Sequence, residues 1–528
     1  MLSGPAVVAA EDIDAFGELS ARVYERGADG AIRGRRLPDS VATATPAAGI
    51  PLHDVAEPEL KASLAAAAAA RAAALQDLPR APAASPLVPE DLSRRPRVMH
   101  MAVINYTDAT LVEYVARVGQ LEGFSVVARV APSSSWLDNL AHIPGLRTVR
   151  VAGVEYIWSE DILEIGLDGS FRMTARYGDR GLLRRAQFVD RIRRYGPKIT
   201  TAELDAIRRM PDREGEPPGD LPVELLRNFP ETMFMIQGLV ETDRGQEAAA
   251  AVAAARRADM REATTYLEGG NVLVGRLPGG EPYALVGRDS AAVSRALLER
   301  HAGRALDEAD VVAAMARDLG VAPNRLYLVE QPGVFHLDMA LTLLRPGTVV
   351  MNDAFEAFKL QSHWLREDYE AWRPRRETFA SGAAYAKEYA AWREAGDDLD
   401  RTIGRLWKYA ERFARGEARA LADLEAAGLR VLRLPGRFLH TARPWDRDVM
   451  NFLNGEAGTS ARGGTFFMTQ GGDPRAERLI ARLLLAPETG LDRVYFAPRL
   501  ASRDTLWEKG AVGCRVKVEG DVVSNPTR

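Results

Sequence analysis

The residues best able to do chemistry stand in four short segments. Cys514, the only cysteine among 528 residues, follows a glycine in KGAVGCRVKVEG, at the entrance of an expected late strand. As a thiolate it would be a strong nucleophile, although a lone cysteine is more often a small buried hydrophobe. His336 and Asp338, in FHLDMALTLLRPG, lie two apart on an expected strand and so would face the same side. Such a pair brings a titratable imidazole and a fixed carboxylate to one pocket; a partly buried surface pair is the plainer reading. Trp158 and Asp161 open WSEDILEIG, ahead of an apolar run that contains Glu164. Glu268 precedes two glycines and Asn271 in TTYLEGGNVLVG, inside what otherwise reads as a strand. Paired glycines there point to a bulge or a close backbone approach that aims a carboxylate into a cleft, with a tight turn as the alternative.

Positioning these residues calls for an α/β scaffold, and the hydrophobic pattern from Val98 onward supplies one. VMHMAVINY reads as a buried strand, TLVEYVARVGQLEG as an amphipathic helix ending in glycine, and FSVVARVA and LRTVRVAG as strands with a helical segment, SSWLDNLAHI, between them. The theme continues through TMFMIQGLV, a helix over QEAAAAVAAARRAD, strands at TTYLEGGNVLVG and PYALVGR, and a helix from Ser290 to His301. Further strands are expected at RLYLVEQ, MALTLLRPGTVVMN, LRVLRLPG, GTFFMTQGG and GCRVKVEG, with a helix at PRAERLIARLLL. Sequence repeats are too degenerate to be read directly. Residues 1–95 form an N-terminal accessory segment: an alanine-rich helix, Leu60 to Leu75, then a proline- and alanine-rich join from Pro79 to Pro96. Residues 96–528 form the catalytic domain, with a helix-rich insertion at about 354–426 whose Trp364, Trp372, Trp392 and Trp407 pack a helical hairpin.

The bulk composition narrows the partners. Lys and Arg number 69 against 73 Asp and Glu, a net charge of −4, so neither nucleic acid nor an anionic membrane is favoured. A small molecule or another protein is the partner to expect. One cysteine excludes an intrachain disulfide and a cysteine-based metal site, which fits a reducing compartment. MLSGPAVVAAEDIDAFG lacks a basic n-region, and no uncharged run approaches the roughly 20 apolar residues of a membrane helix. A soluble, cytoplasmic protein is expected.

Taken in order, the four segments resemble the guanidino-group-modifying superfamily of pentein enzymes, which includes arginine, agmatine and protein-arginine deiminases and amidinotransferases. WSEDILEIG is similar to the protein-arginine deiminase pattern, whereas YLEGGNVLVG, MNFLNG and QGGDPRAERLIARLL look more like agmatine deiminases. Two positions depart from the agmatine deiminase pattern: Glu160 stands where an arginine is expected, and Gly513 replaces the histidine before the cysteine.

The resemblance implies a five-bladed α/β propeller that deiminates a guanidinium group, with an arginine side chain in a peptide or protein as the leading substrate. A small guanidino compound such as agmatine or arginine, amidino transfer to an amine, and an inactive pentein that only binds are the alternatives. Asp161 and Asp338 would hold the planar cation, Cys514 would attack its carbon, His336 would move protons, and Glu268 would orient His336. Trp158, together with Asn271, is carried on the substrate side, although Asn271, Glu164, Asn454 and Asp473 read first as structural. No cofactor is implied. Calcium, on which vertebrate protein-arginine deiminases depend, finds no EF-hand-like loop or dense aspartate run here.

Overall fold

The computed structural model describes residues 7–9, 19–38, 52–76, 83–131, 142–151, 156–177, 242–332, 336–439, 449–507 and 510–523, with Leu140 and single positions between 183 and 194. The expected strand TMFMIQGLV lies outside them, as do most of SSWLDNLAHI and part of the join after Pro79. No helix among the described residues is long and apolar enough to cross a membrane.

The chain opens with strands β1 (Val7–Ala9), β2 (Arg22–Arg26) and β3 (Ile32–Arg36) and the helix Glu57–Gln76. One pattern then recurs. Strand β4 (Arg94–Val103) leads through the helix Tyr106–Glu122 to β5 (Ser125–Val130), which pairs with it in parallel; β6 (Leu146–Arg150) extends that sheet. Strands β7 (Leu163–Ile165) and β8 (Phe171–Met173) are antiparallel, and the helix Thr242–Arg256 crosses to β9 (Met260–Glu262), parallel to β8. The same arrangement follows in β10 (Val272–Arg276), β11 (Pro282–Gly287) and β12 (Leu326–Val329), with the helices Arg288–Ala302 and Glu308–Leu319 as crossover. It returns in β13 (Leu341–Leu343), β14 (Thr348–Asn352) and β15 (Arg430–Leu434). After the small hairpin of β16 (Arg437–Leu439) and β17 (Val449–Asn451), it recurs in β18 (Glu456–Thr459), β19 (Thr465–Thr469) and β20 (Arg493–Phe496). The last strand, β21 (Lys517–Val522), runs antiparallel to β4 and supplies the first strand that this unit lacks. Five units thus share one plan: an antiparallel pair, a helical crossover and a parallel third strand.

The helix-rich stretch expected at 354–426 is the crossover of the fourth unit, in two helices, Ala354–Ala371 and Gly382–Ala426. Trp392 stacks on Tyr369 across this pair, while Trp407 packs on Phe355 and Phe358 and remains half exposed. Residues before 95 carry the expected helix and, in addition, the β2–β3 hairpin. Strand β2 pairs with β20 and extends the fifth unit's sheet. The reason is electrostatic as well as apolar. Fully buried Arg22 bonds Glu477 through both Nε and Nη2, at 2.8 and 2.7 Å, and Tyr24 packs edge-on to Phe496. The helix Glu57–Gln76 packs on the helix Thr242–Arg256, whose wholly apolar stretch Ala248–Ala255 is buried on every side.

Local chemistry sets the helix ends. Asn105 caps the helix Tyr106–Glu122 in a reciprocal box with Asp108, and Gly123 closes it with φ of 88°. Asp108 thereby acquires a second task at the site described next.

Candidate active site

Each unit contributes to one cluster just ahead of its first strand. Asp161 precedes β7, Glu268 precedes β10, His336 and Asp338 precede β13, Asn454 precedes β18, and Cys514 precedes β21. The contacts below tie these side chains together.

Asp161 stands on a single helical turn, Ser159–Ile162. Arg129 anchors that turn from β5, donating to Ser159 Oγ at 2.8 Å and to the Ala248 carbonyl at 3.1 Å. Burial lowers the Arg129 pKa to about 10. The departure at Glu160 has a structural partner: its carboxylate meets Lys517 Nζ at 2.9 Å, and Glu164 meets the same ammonium at 2.7 Å. This buried trio holds the turn against the first strand of the opening unit.

The paired glycines serve close approach. A Cβ on Gly269 would lie 1.9 Å from the Glu160 carbonyl oxygen, and one on Gly270 would lie 2.2 Å from His336 Nδ1. Only a residue with no side chain fits either place. The turn Gly269–Asn271 then docks the segment 336–338: Asn271 Oδ1 accepts from the Leu337 N–H at 3.2 Å, and the Gly270 carbonyl accepts from the Asp338 N–H at 3.1 Å. These bonds replace a strand ladder. His336 and Asp338 therefore sit on a turn before β13, and the expected strand with both side chains on one face is not formed. Instead the two residues address different partners.

His336 lies between two carboxylates, with Nε2 2.8 Å from Glu268 Oε1 and Nδ1 3.6 Å from Asp161 Oδ1. Burial opposes its positive charge, but Glu268 and Asp161 outweigh burial and raise its pKa to about 10. The imidazole is held as an imidazolium. Glu268 is fixed in turn by the Tyr266 hydroxyl, which donates to Oε2 at 2.9 Å. Ligand atoms of Asp161, Glu268 and His336 all fall within 4.8 Å of one another. The carboxylates flank opposite ring nitrogens, so an ion bound through one nitrogen would have only one of them in its direction.

Asp338 faces the thiol: Cys514 Sγ lies 3.4 Å from Asp338 Oδ2. Asn454 Nδ2 donates to the same Oδ2 at 2.6 Å and lies 3.3 Å from the sulfur, while Asn454 Oδ1 accepts from the Cys514 N–H at 3.2 Å. Nearby Asn451 donates to the Met339 carbonyl at 2.9 Å, so the MNFLNG segment grips both residues that follow Leu337. The departure at Gly513 also has a partner, because a Cβ there would stand 2.8 Å from Asn454 Oδ1.

Electrostatics in this cluster are dominated by burial of anions. Asp161 is pushed well above the usual carboxylate range by burial, which Glu268 and Asp338 reinforce and His336 opposes. Burial lifts Asp338 to about 6. The Cys514 thiol is raised by burial and then by the charges of Asp338 and Asp161. Asp161 Oδ1 and Asp338 Oδ1 are both buried without a hydrogen bond, the former with the His336 ring 3.6 Å away. Such orphans are costly unless something binds there. A cation placed on them would satisfy both oxygens and remove the field that keeps the thiol protonated.

Trp158 is committed elsewhere. The guanidinium of Arg515 lies 4.1 Å from its ring centroid, and a Cβ on Gly510 would fall 1.8 Å from its six-membered ring. Arg515 is in turn bonded to Asp108 Oδ1 at 2.6 Å, beneath the cap of the helix Tyr106–Glu122. Trp158 thus packs behind Cys514, with this face filled by the chain's own arginine. Asn271 spends its carbonyl on the Leu337 amide. Sequence reasoning gave Asn454, in MNFLNG, a structural role and passed over Lys517 and Arg515, which carried no signal.

No protein-family profile matches the chain, and no curated relative matches it in sequence. Solved structures similar to it include agmatine deiminases. That of C. jejuni is 10% identical over 83% of this chain and 96% of its own, with a TM-score of 0.41. The agmatine deiminase of Enterococcus faecalis is 13% identical over 83% of this chain and 100% of its own, with a TM-score of 0.43.

Proposed function

We propose that the chain is a hydrolase that deiminates a small guanidino compound through Cys514, on a pentein-type propeller of five blades. The observation that carries this reading is the pair of carboxylate oxygens on Asp161 and Asp338 that receive no hydrogen bond, buried in the same cluster as the thiol. A guanidinium is a planar cation whose N–H groups pair with carboxylates, and each charge-assisted bond contributes about 1.5–3 kcal/mol. Five units, each sending a residue from the entry of its first strand into one cluster, support the propeller.

The chemistry follows from the charges. Binding the cation offsets the two carboxylates that lift the thiol, so substrate itself favours the thiolate. The sulfur then bonds to the guanidinium carbon. His336, held as imidazolium, gives its proton to the departing nitrogen; the C–N bond breaks, ammonia leaves, and an S-linked thiouronium remains. Neutral His336 next takes a proton from water, whose oxygen attacks the carbon. The C–S bond breaks, the thiolate is restored, and the product is a ureido compound.

A small substrate is favoured over peptidyl arginine by burial. Asp161, Glu268, His336, Asp338 and Cys514 are each no more than 8% exposed. Residues buried this deeply suit a small molecule better than a groove-bound protein chain. Incubation with agmatine, free arginine and an arginyl peptide, reading ammonia and ureido product, tests the proposal. Turnover of a small guanidine is expected, lost in Cys514→Ala while the circular dichroism is unchanged. Release of ammonia from no guanidine, or activity surviving Cys514→Ala, sinks it.

A further inference from the structure

We propose that Arg437 is the anchor for a carboxylate on the substrate, so that the guanidine taken by the site is a guanidino acid and not a guanidino amine. The assignment rests on the proposed attack of Cys514 on a guanidinium and names the class of molecule that carries it.

The first observation is an unpaired charge. Buried Arg22, Arg94 and Arg515 are each bonded to a carboxylate, and buried Arg129 and Arg172 to hydroxyl or carbonyl oxygens. Arg437, 7% exposed, has no hydrogen bond and no ion pair among the described residues, and its Nε is sealed off without a partner. Its guanidinium lies 5.0 Å from the Phe413 ring centroid and 6.0 Å from that of Tyr409. Ring faces offset only part of the cost of burying a lone cation. A carboxylate, by contrast, matches the planar fork with two parallel bonds.

The second observation is place. Arg437 opens β16 directly opposite Asn451 of β17, so the two side chains leave the hairpin on one face, while Phe438 and Met450 turn the other way into the core. Asn451 reaches Met339: its Nδ2 lies 2.9 Å from the carbonyl oxygen and 3.9 Å from the sulfur, which is itself 3.9 Å from Cys514 Sγ. Phe413, against which the Arg437 guanidinium rests, belongs to the same apolar cluster as Met339 and Cys514. Two routes therefore bring Arg437 to the border of the candidate site.

The site then carries opposite charges at its two ends. Asp161 and Asp338 offer a cation carboxylate oxygens that receive no hydrogen bond, and Arg437 offers an anion a guanidinium that gives none. A molecule with a guanidinium at one end and a carboxylate at the other, joined by a short run of methylenes, answers both. A guanidino amine such as agmatine would set its ammonium against Arg437 in surroundings poor in water, where like charges repel most strongly.

Three probes on the full chain test this: 4-guanidinobutyrate carries the carboxylate, agmatine an amine, and butylguanidine neither. The parent should show kcat/KM for 4-guanidinobutyrate about 100-fold above that for butylguanidine, the value of one bidentate charged pair, with agmatine no better than butylguanidine. In Arg437→Gln and Arg437→Met that preference should collapse to within about threefold, mostly through KM, and Arg437→Lys should restore about tenfold of it by keeping the charge without the fork. In the Cys514→Ala background, 4-guanidinobutyrate should raise the midpoint of thermal unfolding, and adding Arg437→Met should abolish the rise. Without ligand, Arg437→Met should unfold no lower than its parent, because it removes a cation that has no partner; a variant that unfolds lower and keeps its response to 4-guanidinobutyrate overturns the anchor. A parent that turns over and binds agmatine as well as 4-guanidinobutyrate overturns it with no variant needed. Binding of 4-guanidinobutyrate that depends on Arg437, in a chain that turns over no guanidine, would uphold the anchor and reject the proposed reaction, so the two failures are distinguishable.

Discussion

Glu268→Gln is the sharpest probe of the imidazolium clamp. The amide has the shape of the carboxylate and its oxygen can still accept from His336, while the Tyr266 hydroxyl turns from donor to acceptor. The main loss is a charge. A folded pKa of about 10 against an ordinary 6.5 corresponds to roughly 5 kcal/mol of stabilisation of the charged ring. The sign is that of a raised base: this stability is fully present below about pH 6.5 and is lost as pH climbs through about 10. Removing one charge-assisted partner should withdraw about 2 kcal/mol and bring the His336 pKa down to between 8 and 9, on the order of a 1.5–3 kcal/mol bond. Urea unfolding of parent and variant should therefore differ by about 2 kcal/mol from pH 6 to 8 and converge above pH 10. The alkaline limb of kcat should move down by about one to two pH units, since the acid for the departing nitrogen is lost sooner. A stability difference that is the same at pH 7 and pH 10.5 would refute the reasoning, because it would show that Glu268 does not act through the proton on His336.

Two further perturbations probe the scaffold around the clamp. Gly270→Ala places a methyl 2.2 Å from His336 Nδ1; a loss of about 1–3 kcal/mol is expected from overpacking, with turnover reduced about 100-fold, checked by thermal unfolding and steady-state kinetics. Lys517→Met strands Glu160 and Glu164 without their shared cation. It should cost about 3–5 kcal/mol, and most of that should return when both glutamates are also made glutamine, as chemical denaturation of the single and triple variants will show.

Much of the scaffold was legible in the chain because its signals are local. The helix Tyr106–Glu122 announces itself by an amphipathic stripe and a closing glycine, and its capping box agrees. The glycine pair after Glu268 was readable as a point of close approach, since no other residue tolerates a carbonyl and an imidazole at such distances. The His336 segment misled for a physical reason. Two residues apart on a strand face one way, but Asn271 Oδ1 and the Gly270 carbonyl take the amides that a ladder would have used. That competition comes from 66 positions away in the case of Asn271 and leaves no trace in the local pattern. The hairpin of β2 and β3 was hidden for a similar reason. RVYER and IRGRR look too charged to be buried, and Arg22 is buried only because Glu477 lies opposite it. The fivefold plan itself resides in hydrogen-bond directions, parallel after antiparallel, and short strands of unlike sequence carry it equally well.

The pairing of β21 with β4 also sets an order of events. His100 on β4 meets Glu519 on β21 across 419 positions of chain. The entropy of closing so long a loop grows only logarithmically with its length, so the pairing is affordable, but it cannot occur before the last strand exists. During synthesis, Asp161, Glu268, His336 and Asp338 leave the ribosome first, and the sulfur arrives with the strand that seals the opening unit. Under the proposed reaction, the carboxylates of the site would be without their nucleophile until β21 pairs with β4, so reactivity would come with that pairing.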